Sequence, residues 1–333
     1  VNEPVLNRLK YSIHGQAIDL TCQVGKVMDA IHRALGEFAV KSLLNVRPMP
    51  VRGIVRAFDE RDVMRYLSPT ATRLPSPNEL IELYEEGERF WLIDDHWGIC
   101  EINVLKGQWR SWILPNATAD AGRIVEQAVL WPIAQLLRTR GLCMIPAAAV
   151  VRDGWGALLL SNFSIEPELT TLVHAGYRIV GQNWVALREE EGRIVMLQMP
   201  GSLARTMPRG TGSNQPITQR VDLTLEFSGC RCPQAVCDAV MLVTPGRRPI
   251  PHIKPVSPTN AVSALRYAWP LTELHPHRRY GQLGSRIAQR CHVFEVQLTR
   301  NPKDVLALIE TSLSSRTRAT NHTALIPATK VVA

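Results

Sequence analysis

At 333 residues, 45% hydrophobic and 20% charged, the chain is long enough to bury a sizeable core and to form two domains rather than one. Its longest apolar run, Cys143 to Val151, falls well short of the roughly 20 residues that span a bilayer and contains Pro146. The net charge of +8 is uneven: residues 1–200 hold 21 Lys/Arg against 23 Asp/Glu, whereas residues 201–333 hold 17 against 7, with Arg in large excess over Lys.

The first residues, VNEPVLNRLKYSIHG, contain no apolar signal-peptide core, so a cytoplasmic location is expected. Residues 8–115 alternate in the manner of strands, notably LKYSIHGQAIDLTC and FWLIDDHWGICEINVLKGQWRSWIL, with turns near Gly98 and Gly107. They predict a β-rich (α+β) N-terminal domain over 1–118. Within it, SPTATRLPSPNELIELYEEGER reads as a loop passing into a short acidic helix that ends near Gly87.

Residues 119–141 space Ile124, Val125, Ala128, Val129, Ile133, Leu136 and Leu137 on one helical face and stop at Gly141, with Pro132 as a potential kink. Next, CMIPAAAVVRDGWGALLL reads as two strands around an Asp-Gly turn. The second strand runs into SNFSIEPELTTLVHAGYRIVGQNWVAL, a loop, an amphipathic helix and another strand. Residues 200–218 form a Gly/Pro/Ser/Thr-rich loop. RVDLTLEF, AVMLVTPG and HVFEVQLT are strand candidates, PKDVLALIETSLSS a last helix, and 316–333 a flexible tail. Alternating strands and helices around a mostly buried sheet define an α/β core over 119–315.

The order RTRGLCMIPAAAVVRDGWGALLL, loop, LVHAGYRIVGQNWVAL and HVFEVQLTRNPKDVLALIE resembles the C-terminal domain of HPr kinase/phosphorylase, over roughly residues 119–311. The resemblance implies a P-loop kinase-like fold. It also implies that the first long strand should enter a Gly-rich loop ending in Gly-Lys-Ser/Thr, whose amides and lysine hold phosphates and whose hydroxyl holds Mg²⁺. This chain has Ser161-Asn162-Phe163-Ser164-Ile165-Glu166-Pro167-Glu168 there, without glycine or lysine. Ser164 is expected to cap the following helix, with Glu166 and Glu168 on its positive end. Where the family carries a pair of aspartates, the chain carries Gln182 and Asn183, which keep hydrogen-bonding capacity but neither take a proton nor bind Mg²⁺ well. The family's histidine before the Ala-Ala-Val strand is replaced by Pro146. Losing one preorganised donor costs about 2.7–4 kcal/mol of transition-state stabilisation, and here several are lost together. No catalytic residues and no ATP or Mg²⁺ are therefore expected at this degenerate phosphate loop.

Other patterns carry less. Cys230, Cys232 and Cys237 offer three thiols for a metal, in a spacing that is not a standard zinc pattern, and the same segment also reads as a turn entering a helix. The seven cysteines are otherwise read as reduced and buried. Arg247, Arg248, Arg278 and Arg279 are expected to gather into a basic face for an acidic or phosphorylated protein or peptide. The leading expectation is thus an inactive HPr kinase-like scaffold or regulator, with homo-oligomeric assembly as what the resemblance implies. One alternative is an atypical nucleotide-dependent Ser/Thr kinase that holds phosphates with Arg152, Arg178 or Arg209. Another is a basic nucleic-acid-binding module, for which aromatic interleaving in the basic half is lacking.

Overall fold

The computed structural model describes residues 7–42, 49–58, 70–74, 81–161, 163–199, 227, 229–245, 250–268, 279–299 and 301–312. Strands β1 (Asn7–Ile13) and β2 (Gln16–Cys22) form a hairpin through His14 and Gly15, both at positive φ, the twist that a two-residue hairpin turn requires. Helix α1 (Gly25–Leu35) follows and buries Val27, Ala30, Ile31, Ala34 and Leu35, one helical stripe. Then come β3 (Val51–Ala57), β4 (Thr72–Leu74), β5 (Ile81–Glu86), β6 (Arg89–Asp94), β7 (Gly98–Asn103) and β8 (Gln108–Ile113). They form an eight-stranded sheet in the order β1-β2-β3-β8-β7-β6-β5-β4, in which β2, β3 and β8 run parallel. The expected acidic helix before Gly87 is instead β5: Ile81 and Leu83 alternate inward, and Gly87 at φ 58° turns the chain into β6.

The helix expected at 119–141 is present but composite. Helix α2 (Ala121–Val125) is capped by Asp120, whose carboxylate accepts the Arg123 N–H at 2.9 Å. A π-helical turn, Glu126–Leu130, leads into α3 (Trp131–Arg138). Pro132 explains the turn, because it has no N–H for the carbonyl of Ala128 four residues back. That carbonyl accepts instead from Ser111 Oγ at 2.6 Å and Trp109 Nε1 at 3.2 Å, both on β8. The defect in the helix is what bonds it to the sheet.

Beyond it lie β9 (Cys143–Ile145), β10 (Ala148–Arg152), β11 (Trp155–Ser161), α4 (Glu166–His174), β12 (Arg178–Gly181), β13 (Val185–Glu190) and β14 (Arg193–Gln198). They are followed by β15 (Gln234–Val236), β16 (Ala239–Pro245), β17 (His252–Pro255), α5 (Pro258–Ala268), α6 (Arg279–Arg290), β18 (His292–Leu298) and α7 (residues 304–312). The molecule is a mixed α/β protein. A six-stranded sheet, β12-β10-β11-β16-β18-β17, has parallel pairs β11/β16 and β16/β18, and a four-stranded sheet has the order β15-β14-β13-β9. The expected helix after Cys230 is in fact β15 and the approach to β16.

Strand β11 is buried on both faces, as its unbroken apolar run requires. Leu158 and Leu160 join a core with β13, β14, α5 and α6, while Ala157 and Leu159 join a second core with α4 and α7. The Asp153-Gly154 turn, with both residues at positive φ, sets the β10–β11 register Arg152↔Trp155. Residues 200–218, most of RVDLTLEF and the tail from 316 lie outside the described residues. Among the described residues no helix is long and apolar enough to cross a membrane.

Candidate functional site

Ligand sites in open α/β sheets lie beyond the carboxyl ends of parallel strands. Here β11 ends at Ser161 and β12, which runs in the same direction, ends at Gly181. The start of β10 faces the same end, because Ala148 pairs with Leu159. Three parts of the chain therefore converge: 146–148, Ser161 with 163–166, and 182–183. They line a cleft of about 430 Å³, counting its open mouth. Pro146, Ser161, Ser164, Glu166, Gln182 and Asn183 all border it, with Phe163 and Leu169 as apolar wall.

The loop is closed by its own side chain. Ser161 Oγ accepts the Phe163 N–H at 3.1 Å and donates to the Phe163 carbonyl at 2.9 Å. A backbone amide of the kind that a phosphate loop aims at its anion is thus committed locally. Ser164 does not cap α4, contrary to expectation. Ile165 is the N-cap, no side chain caps the helix, and Ser164 is exposed. Pro167 removes one amide from the first turn, and the Glu168 N–H is held by its own carboxylate. Glu168 Oε2 is buried with no hydrogen-bond partner, and burial pushes its carboxyl up from the ordinary range.

Gln182 is buried, and Asn183 keeps a buried Nδ2 without a hydrogen-bond partner. Gly181 permits this arrangement, since a Cβ there would collide with the Trp184 carbonyl. Asn162 lies outside the described residues. Among those described, no Lys or Arg lines the cleft. The donor set therefore does not fit a magnesium nucleotide: one acidic side chain, two amides and hydroxyls offer no positive charge to phosphates and no carboxylate pair to a metal.

The arginines considered as replacements are elsewhere. Arg152 sits at the opposite end of β11, a distance of roughly 20 Å along a seven-residue strand. Its guanidinium lies 4.4 Å over the Tyr177 ring, donates to the Ala175 carbonyl at the end of α4, and meets Glu310 of α7 at 3.5 Å. It is a packing residue that satisfies a helix C-terminus. Arg178 pairs with Val151 at that same far end and is exposed. Strand direction, which decides the end at which a residue falls, sets both away from the cleft. Arg209, Arg247, Arg248 and Arg278 lie outside the described residues, and Arg279 is placed only as the first residue of α6.

The thiols are separated rather than gathered. Cys230 packs in the core with α4 and α7, whereas Cys232 and Cys237 pack in the core with α5 and α6. Each of the latter donates to a nearby carbonyl, Cys232 to Gln234 at 3.1 Å and Cys237 to Ala239 at 3.5 Å. A side-chain hydrogen bond with Cys291, together with burial, pushes Cys237 well above the usual thiol range. Among the described residues no group of three His, Cys, Asp or Glu side chains is placed to hold a metal.

Sequence reasoning missed the apolar wall of Phe163 and Leu169 and the local closure by Ser161. Ser164 was expected as the cap, but the helix begins at Glu166, two residues further on.

No family model matches the chain, and no curated protein does. Among solved structures it is similar to the HPr(Ser) kinase/phosphatase from Coxiella burnetii, at 14% identity and a TM-score of 0.33, over 55% of this chain and 98% of that one.

Proposed function

We propose that this chain is a partner-binding scaffold or regulator in which the place of a phosphate loop has become structural and transfers no phosphoryl group. The observation that carries the reading is the closed turn at Ser161, whose hydroxyl takes the Phe163 amide while Glu166 stands at the mouth of the cleft. An anionic ligand entering there meets the Glu166 carboxylate and a Phe163 amide already taken by Ser161, instead of a lysine and a ring of free amides. Gln182 and Asn183 add hydrogen-bonding groups without charge, so neither a base nor a metal-linked carboxylate is at hand. The described scaffold packs around three apolar cores and offers a platform for protein or peptide partners.

The kinase reading through arginines is not favoured, because Arg152 and Arg178 stand a strand's length from the cleft. Incubation with γ-labelled ATP and Mg²⁺, alone and with a bacterial lysate depleted of nucleotides, tests the proposal. The expected result is no release or transfer of label above a heat-inactivated control. Turnover that is abolished by Gln182→Ala or Asn183→Ala would overturn it.

A further inference from the structure

A second cleft lies on the eight-stranded sheet, on the face turned away from the helices. Trp109 and Ser111 of β8 point to the π-helical turn, so Gln108 and Arg110, which alternate with them, point to the opposite face. Cross-strand register sets Asn103 beside Gln108 and Arg89 beside Asn103, with Glu101 opposite Arg110. With Lys106 from the β7–β8 turn, these residues line about 440 Å³ of open cleft.

Cations outnumber carboxylates in its lining. Arg89, Lys106 and Arg110 face a single lining carboxylate, Glu101, which is 7% exposed. Glu86 and Glu88 stand nearby at the β5–β6 turn, and Glu86 accepts from Thr70. Arg52 borders the site, since it is the register partner of Gln108 and its amide donates to the Gly107 carbonyl. Arg140 closes in from the helical side, with a nitrogen 3.5 Å from where a Cβ on Gly107 would stand. Its Nη1 is buried without a hydrogen-bond partner, and burial pulls its guanidinium down from the ordinary range. Among the described residues no ion pair engages Arg89 or Lys106. Two exposed apolar side chains flank the cleft: Leu105, 82% exposed at the tip of the turn, and Ile54, 40% exposed on β3 beside Arg110.

We infer that this cleft is a docking site for a phosphorylated peptide segment of a partner protein, the phosphate held by Arg89, Lys106 and Arg110. The inference deepens the reading of the chain as a partner-binding protein and rests on it. Clustered guanidinium forks match the paired oxygens of a phosphate monoester. Leu105 and Ile54 offer contact to apolar residues beside the phosphate. A nucleic-acid strand fits less well, because it is held by stacked bases. Trp91, Trp109 and Trp112 are each no more than 1% exposed, so their rings offer no platform.

Fluorescence anisotropy with a fluorescein-labelled peptide pool, randomised around a fixed phosphoserine, tests this on the full chain. The matching pool with unmodified serine and a single-stranded oligonucleotide serve as the other arms. The expected result is saturable binding of the phosphoserine pool, at least tenfold weaker binding of the serine pool, and a steep loss on raising salt. Arg89→Gln with Lys106→Gln should weaken binding at least tenfold with an unchanged melting curve. Arg193→Gln, an exposed residue on β14, should leave it intact. Equal binding of both peptide pools, tighter binding of the oligonucleotide, indifference to the double variant, or no binding would each overturn the inference. None of those outcomes touches the labelled-ATP result, which alone decides whether the other cleft turns over nucleotide.

Discussion

Glu168 carries the clearest electrostatic conflict among the described residues. It stands in the first turn of α4, where the helix dipole favours an anion, yet Oε2 is buried without a partner. Burial wins over the bond to its own amide, and the carboxyl is pushed up. A folded-state pKa raised above the unfolded value means stability that is present below the unfolded pKa, near 4.5, and lost as pH rises through the folded one. Glu168→Gln should therefore stabilise the protein at pH 8 and make no difference at pH 4. Because the side chain is partly exposed, the gain should be a few tenths to about 1 kcal/mol. Urea midpoints at the two pH values measure it, and an equal shift at both would refute the assignment. The identity of Glu168 as an acid at a helix start was legible in the sequence. Its unpaired oxygen was not, because orphaning depends on tertiary packing rather than on local spacing.

At the scale of elements, the π-helical turn before Pro132 and its two bonds to β8 form a unit. Ser111→Ala should cost about 1 kcal/mol, since the Ala128 carbonyl loses its closest donor while Trp109 remains. In a Pro132→Ala background the loss should shrink, because residue 132 then has an amide for that carbonyl. Denaturant unfolding of the four proteins of this cycle gives the coupling, and strict additivity would contradict the account. The kink at Pro132 was legible from the residue itself, and so were β10, β11, α4 and β12, where an Asp-Gly turn and an uninterrupted apolar run leave few other structures. The stretch before Gly87 misled because its glutamates are good helix formers, while only Ile81 and Leu83 mark the two-residue period. Helix α1 went unread although Val27, Ala30, Ile31 and Ala34 have helical spacing, because the surrounding alternation favoured strands. The positions of Arg152 and Arg178 relative to the cleft depend on strand direction and pairing, which no local pattern encodes.

Over the whole molecule, two features separate along the chain: a neutralised cleft at the ends of β11 and β12, and a cationic cleft on the eight-stranded sheet. The sequence drew attention to the +10 balance of residues 201–333, yet the described cation cluster lies in the N-terminal half, where overall charge is slightly negative. Net charge by segment hides it because β6, β7 and β8 bring Arg89, Lys106 and Arg110 together from separate places in the chain. A single core also links the sheets: Trp109 and Leu92 of the eight-stranded sheet share it with Leu136 of α3, Ala186 of β13 and Leu197 of β14. Binding at either cleft is therefore expected to register in the unfolding of the entire chain. Thermal unfolding with and without millimolar Mg-ATP tests the central claim most directly. A ligand at about 100 times its dissociation constant stabilises by about 2.7 kcal/mol, which shifts the midpoint by several degrees in a chain of this size. The account predicts no shift that depends on Ser161 or Gln182 at any Mg-ATP concentration up to that range. A saturable rise in the midpoint, lost on replacing Ser161 or Gln182, would contradict it.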